Sequence, residues 1–396
     1  MDGSVEIAES LHEYIIRQII DRMMIRIGRG DDYLLTSSDR WRIQVLQDAG
    51  YLLEDITAEL AEYTKRQEKE IKAAMEEAGI KALEYDHKIY EAAGLSPMPL
   101  TQSPALIRLM ERSYNATLGE WRNMTRTTVQ AAHNLFVNEC DFAYNKVLSG
   151  AVSYSQAVRE AVESAASGGV YVDYPSGHRD TIETATARAV RTGIAQAAGD
   201  IALKRMEEMD WDIILVSAHI GARTGDGGQN PGNHLYWQGA FYSRTGKDKR
   251  FPNFYDVTGY GTGVGLSGYN CRHSFGSGDG VNNPYKDIQT ADNYRIEKLE
   301  QRQRALERRV RKSKREVMGL QEAVEKCQDE AAKFELQQTL DRKSYLLSRQ
   351  NKAYNDFCEQ NGLRKEAERL QIARWQREQA AKARGAARRY QNAKGE

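Results

Sequence analysis

From Val5 to Ile27 apolar residues recur as Leu11, Ile15, Ile16, Ile19, Ile20, Met23 and Ile27, the spacing of one face of a helix, which Gly28 to Gly30 ends. Ser38 and Asp39 are candidate caps for a second helix, whose apolar face carries Trp41, Val45, Leu46, Leu52, Leu53 and Ile56. Ala58 to Ala93 is rich in Ala, Glu and Lys and predicts a long helix with few large apolar residues. Pro97, Pro99 and Pro104 interrupt it, because proline lacks the N–H that a helix interior needs. Helical periodicity resumes from Ala105 to Val147 and again from Ser155 to Ala166, with Ser149-Gly150 and Ser167-Gly168-Gly169 as stops. His133 falls within the first of these patterns as a packing residue. The alternating Val170 to Tyr174 run, followed by Pro175-Ser176-Gly177, predicts a short strand and a turn. A helix from Thr181 to Met209, with Thr181 at its cap, then leads into Trp211 to Val216, which is short, apolar and β-rich enough to be a buried strand.

After that strand the periodicity disappears. Between Gly221 and Gly280 lie 15 of the 32 glycines, a density that suits backbone turning around fixed side chains and not a helix. Helical spacing returns at Tyr294. Leu299 and Leu306, then Val310, Val317 and Val324, then Leu340, Leu347 and Tyr354 repeat by sevens with slips of register. Gly319 and Asn361-Gly362 are the expected turns of a helical, coiled-coil-like tail packed as hairpins, and the end, AAKARGAARRYQNAKGE, is expected to fray or to fold on a partner. The fold class is therefore mainly α with a small α+β module. In chain order the regions are 1–96 helical, 97–104 a Pro-rich linker, 105–210 helical with a strand near 170–174, 211–285 a glycine-rich α+β module, and 286–396 a basic helical tail.

Composition changes this picture in two places. With 396 residues, a clearly negative mean hydropathy and no stretch near the ~18 apolar residues of a membrane span, the chain reads as soluble. No signal-peptide succession opens it, and four scattered cysteines are no disulfide framework, so synthesis in a host cytoplasm is expected. The net charge is zero, yet from Arg295 onward 26 Lys/Arg face 16 Asp/Glu, so an acidic body carries a basic tail. Such a tail suits contact with nucleic acid or an acidic protein surface.

The unusual side chains gather in the glycine-rich segment. His219, His234, Cys271 and His273 are the candidate metal ligands, with zinc the one candidate cofactor in a chain otherwise expected to carry none. Cys271-x-His273 would place both side chains on one face of an extended strand. The competing reading is a buried, paired polar network of His219, Trp237, Gln238, Asn270, Arg272 and His273 that holds an irregular core. An enzyme built on the same residues lacks an acidic metal ligand beside the histidines, and Cys271 lacks a helix-start signal. The Gly259 to Gly265 run lacks the strand-to-helix context of a phosphate loop and predicts close backbone packing instead.

The succession SAHIGAR (from Ser217), His234-x-x-Trp237-Gln238-Gly239, and TGYGTGVGLSGYNCRH (Thr258 to His273) resembles the minor capsid protein 2 family of tailed bacteriophages, which is related to the MuF-like head proteins. The likeness takes in Thr125, Thr127 and Thr128, SGAVSYSQAV from Ser149, Tyr174 to Gly177, the helix with Arg188 and Arg191, and the Gln301 to Glu316 helix. It spans roughly Arg40 to the tail. Arg223, Trp237, Gln238, Gly239, Gly259, Gly261, Gly268, Asn270 and Arg272 are the motif positions that the resemblance marks as structural. One departure is the longer loop TGDGGQNPGN, Thr224 to Asn233, before His234. The resemblance implies a non-enzymatic virion protein, present in a few copies at or near the portal vertex of the head and acting in head assembly or in DNA packaging or ejection. Its implied partners are portal and capsid proteins, with packaged DNA along the basic tail. The alternative is a metal-dependent or cysteine-based hydrolase carried in the virion.

Overall fold

The computed structural model describes residues 2–30, 37–174, 176–288 and 290–395. Helix accounts for 69% of it, in ten α-helices joined by five short strands. Helix α1 is Asp2–Ile27, and α2 runs unbroken from Ser38 to Ala92, because the junction of its two expected halves, Ile56 to Ala58, holds neither glycine nor proline, while Gly50 and Gly79 are carried in its interior. Trp41 N–H bonds the carbonyl of Ser37, so Ser38 is already helical and not a cap; the side chain of Asp39 lies outside the described residues. Pro104 opens α3 (Pro104–Leu148), where its missing N–H costs nothing. Ser153 caps α4 (Tyr154–Gly168) by accepting from Gln156 N–H. Strand β1 (Tyr171–Asp173) pairs antiparallel with β2 (Arg179–Thr181) across the expected turn, of which Pro175 lies outside the described residues. Helix α5 is Ile182–Glu208, with the Thr181 and Thr184 hydroxyls 3.0 Å apart at its start.

The strand expected before the glycine-rich segment is β3 (Ile213–Val216), the centre of a three-stranded antiparallel sheet in the order β4-β3-β5. Its neighbours β4 (Phe241–Ser243) and β5 (Phe275–Ser277) both come from that segment, with Leu215 opposite Phe241 on one side and Gly276 on the other. Two short helices, α6 (His234–Trp237) and α7 (Phe254–Thr258), sit between the strands in sequence. Helices α8 (Asn293–Lys326), α9 (Glu330–Gln360) and α10 (Arg377–Lys394) complete the chain.

Packing gathers these elements into two compact units, each assembled from separated stretches. One comprises Arg66–Arg122 and Thr186–Gln301 with the chain's start. Its main core is Met206, Ile214, Val216, Trp237, Tyr242, Phe254, Leu266 and Cys271, so the sheet, α5 and the glycine-rich segment share one apolar interior. Smaller clusters, Ile71, Met75 and Val190, then Leu100, Leu106 and Ile201, join α2, α3 and α5. The other unit comprises Val5–Lys65, Asn123–Ala185 and the chain from Arg302. There α1 buries Leu11, Ile15, Ile19 and Ile20, and Trp41 stacks on Tyr144 with centroids 4.6 Å apart while its indole N–H bonds Asp141.

Two sequence expectations in this second unit are corrected. Gly319 is no turn but an interior residue of α8, where a Cβ would lie 2.6 Å from the Cβ of Ala166 and 2.9 Å from Cδ1 of Ile20. The residue is small because three helices converge on it. The C-terminal stretch does not fray in this structure. It forms α10, which packs on α9 with Ala383, Ala386 and Ala387 buried, pairs Arg389 with Asp341 at 2.7 Å and sets Tyr390 against Tyr345. Alanines lack bulk but permit close approach of two helices, a gain that composition alone does not reveal. The connection before it is pinned as well, by Gln303 Nε2 donating to Arg364 O at 2.8 Å and by Glu366 N–H donating to the Tyr354 hydroxyl at 2.9 Å.

Candidate functional site

The glycine-rich segment wraps the end of β3 so that its polar residues meet on one side of the sheet. From β3 the chain continues into Ser217, whose N–H bonds Ser274 O, and on to His219. Asn293, buried at the start of α8, clamps the Gly-Ala of SAHIGAR. Its Oδ1 accepts from Gly221 and Ala222 N–H at 2.8 and 2.9 Å, and its Nδ2 donates to Ala222 O. Arg223 donates to Tyr269 O at 2.6 Å, and Arg272 to Gly221 O and Glu300 at 3.2 and 3.1 Å, tying the first motif to the last.

Several motif positions are decided by backbone geometry. At Gly268 a Cβ would lie 2.5 Å from Gly263 O, and Gly259 has φ 61° at the end of α7, with Pro231 against its α-carbon. Gly239 and Gly261 also adopt positive φ. Asn270 and Ser267 reach φ 57° as non-glycine residues, and Asn270 is the type that tolerates it. This turn aims Cys271 inward while leaving Asn270 and Arg272 exposed, so those two stand outside the buried network expected of them.

The residues that do converge are His219, His234, Gln238, Cys271 and His273, around Trp237. Trp237 is fully buried, its ring centroid 4.5 Å from that of His234 and 4.9 Å from that of His273, and its Nε1 donates to Pro231 O. His219 stacks on His273 at 4.3 Å. Gln238 Oε1 accepts from His273 Nε2 at 2.9 Å and from the His219 backbone N–H at 3.0 Å. His234 Nε2 donates to Val264 O at 2.9 Å, and His219 Nδ1 to Ile220 O at 3.0 Å. Each imidazole therefore gives its one proton to an oxygen and keeps a lone pair on the other nitrogen. On His273 that nitrogen is Nδ1, 3.7 Å from Cys271 Sγ. A donor nitrogen from each of His234 and His273 and the sulfur of Cys271 all lie within 4.8 Å of one another. Cys271 therefore faces His273.

The expectation that every polar group here is paired is not met. His219 Nε2 and Gln238 Nε2 are buried and without a partner. Burial, reinforced by the two other histidines, pulls His273 down to about 2, and burial pulls His234 down to about 4; His219 is lowered as well, mainly by burial. All three rings are neutral at physiological pH. Burial pushes the Cys271 thiol up, away from the reactive thiolate.

The long Thr224 to Asn233 loop does not loosen this arrangement. Asp226 accepts from Gly228 N–H and Asn230 Nδ2, Asn230 accepts from Gly232 N–H, and Asn233 donates to Gly228 O, leaving His234 only 2% exposed. A cleft of about 450 Å³ lined by Lys81, Tyr85, Asp86, Ser217 and Ser274 reaches His273. Beside it Asp86 Oδ1 accepts from Ser277 N–H at 2.8 Å, and burial lifts its carboxyl to about 7. Neither Asn293 nor Asp86 was legible from sequence. An asparagine opening a helix reads as an ordinary cap, and Asp86 lies in a Glu- and Lys-rich stretch that reads as solvated.

No helix among the described residues is long and apolar enough to cross a membrane. A family model described as phage minor capsid protein 2 matches residues 1–347, which takes in the whole of this site and most of both units. No curated protein and no solved structure matches the chain.

Proposed function

Because the chain belongs to the phage minor capsid protein 2 family, we propose that it is a structural component of a tailed-phage head, sited at or near the portal vertex and acting in head assembly or in DNA packaging or ejection. The family match over 1–347 carries this reading. The chemistry of the cluster supports a structural role over a hydrolytic one. The convergent group is two histidines and a cysteine with no carboxylate among them, and the thiol is held protonated by burial. Portal and capsid proteins are the partners this role requires. Mass spectrometry of purified virions is expected to find the protein in low copy number relative to the major capsid protein. Its absence from virions overturns the proposal.

DNA is the second proposed partner, through the tail. Many of the tail's basic residues are spent inside the protein, as Arg311 and Arg315 are on Glu9, Glu13 and Glu183. Arg377, Arg384 and Arg388 on α10 are exposed and recur at helical spacing on one face. Full-length protein is expected to retard duplex DNA at low salt and to lose the shift as salt rises. Changing these three arginines to glutamate should weaken binding about tenfold or more, since counterion release scales with the phosphates neutralised. No shift of the native protein at low salt refutes DNA binding by the tail.

A further inference from the structure

We propose that His234, Cys271 and His273 bind one Zn²⁺, with His219 supplying the fourth ligand, so that a metal ties three motifs of the glycine-rich segment together. The inference stands apart from the portal reading, because it rests on local geometry alone.

Four observations carry it. The first is donor type. One thiol and neutral imidazoles are the borderline-soft set that zinc takes in tetrahedral sites, and no hard carboxylate competes within the group. The second is spacing. Zinc bonds of about 2.3 Å to sulfur and about 2.0 to 2.1 Å to nitrogen at tetrahedral angles separate S from N by about 3.6 Å. Cys271 Sγ and His273 Nδ1 are 3.7 Å apart, and the His234 donor, within 4.8 Å of both, lies at most about 1.4 Å beyond the separations of the tetrahedral set.

The third observation is the outer layer. A metal-binding histidine donates its other N–H to a carbonyl or carboxylate, which fixes the tautomer and the ring. Here the oxygens of Gln238 and Val264 do this for His273 and His234, and that of Ile220 does it for His219. Three neutral rings with preset tautomers in one cluster are costly to assemble for packing alone. The fourth is the orphan nitrogen. His219 Nε2, the nitrogen that keeps its lone pair, is buried with no partner on a ring that stacks on His273, one of the three convergent donors. The cleft lined by Ser217, Ser274 and His273 offers the ion a path in.

The role that follows is structural. Little regular secondary structure orders the 217–280 stretch, where strands of three residues and helices of four and five residues alternate with turns. An ion held by SAHIGAR, HxxWQG and NCRH residues would supply the cross-link that such a segment lacks.

The test is metal analysis of the full chain, purified without chelator from zinc-supplemented medium. About one zinc per chain is expected, and Cys271→Ser, which changes one atom, is expected to lose most of it, with circular dichroism checking that its helices remain. Exchange with Co²⁺ should give intense visible bands of a four-coordinate ion and a thiolate charge-transfer band that is absent from Cys271→Ser. His219→Ala should weaken zinc affinity about tenfold or more. Folded native protein that holds no zinc as purified and takes none up from added Zn²⁺ overturns the proposal, as does iron or copper in its place or full occupancy in Cys271→Ser. Unchanged affinity in His219→Ala removes His219 from the ligand set.

Discussion

Glu183→Gln is expected to cost its unit about 3 to 5 kcal/mol, the penalty of breaking a buried ion cluster from one side. Glu183 opens α5 at 2% exposure, with Oε2 2.7 Å from His12 Nδ1 and Oε1 2.6 Å from Arg315 Nη2 and 3.6 Å from Arg311. Arg315 reaches Glu13 at 2.8 Å, and Arg311 reaches Glu9. The amide keeps the shape and loses the charge, so two arginines remain with one fewer buried counter-ion. Thermal unfolding should show a midpoint lowered by roughly 10 °C. Burial alone would raise the Glu183 pKa, but Arg315, His12 and Arg311 together override it and hold the carboxyl well below its ordinary value. A depressed folded-state pKa gives stability that is present above the unfolded value of about 4.5 and is lost as the pH falls toward the folded one. The gap between native protein and variant should therefore be full at pH 7 and shrink below about pH 4. A gap below about 1 kcal/mol at pH 7, or one that does not narrow in acid, refutes this account.

Trp237→Ala is expected to destabilise the other unit by about 3 to 5 kcal/mol, the cost of emptying a large aromatic site in a packed core. Trp237 is completely buried among Met206, Val216, Phe254 and Leu266, and it backs both His234 and His273. Its removal takes away apolar contact, the Nε1 bond to Pro231 O and the wall that orients two imidazoles. Trp237→Phe keeps most of the ring area and should cost less, leaving the Pro231 carbonyl without its donor. Calorimetry of both variants checks the order. An alanine variant within about 1 kcal/mol of the native protein would mean that the site collapses and that the indole is not its keystone.

The helices were legible because their signals are local. Periodic leucines and isoleucines and the stops at Gly28 to Gly30, Ser149-Gly150 and Ser167 to Gly169 act within a few residues of themselves, and α1, α3 and α4 appear within a few residues of where those signals put them. The β3 strand was legible for the same reason, as was the gathering of His219, His234, Cys271 and His273 in one segment. What could not be read was any property set by a distant neighbour. Gly319 looks like a breaker until Ala166 and Ile20 are placed against it, and α10 looks too polar to hold until α9 lies beneath its alanines. Glu183 looks like a helix-start acid, because its partners His12 and Arg315 are 171 residues before it and far along α8.

The sequence by itself determined that the chain is mainly helical, that one glycine-rich stretch interrupts it, and which uncommon side chains that stretch brings together. Those properties follow from periodicity, backbone permissiveness and composition, all of which act over a few residues. Only the tertiary structure decided that Gln238 and Val264 set the tautomers of His273 and His234, that Asn270 turns outward to send Cys271 in, that Asn293 holds the SAHIGAR turn, and that His219 keeps a buried nitrogen without a partner. Each depends on which oxygen, ring or backbone lies within about 3 Å, the range over which a hydrogen bond acts, and residues far apart in the chain reach that range only when the fold closes.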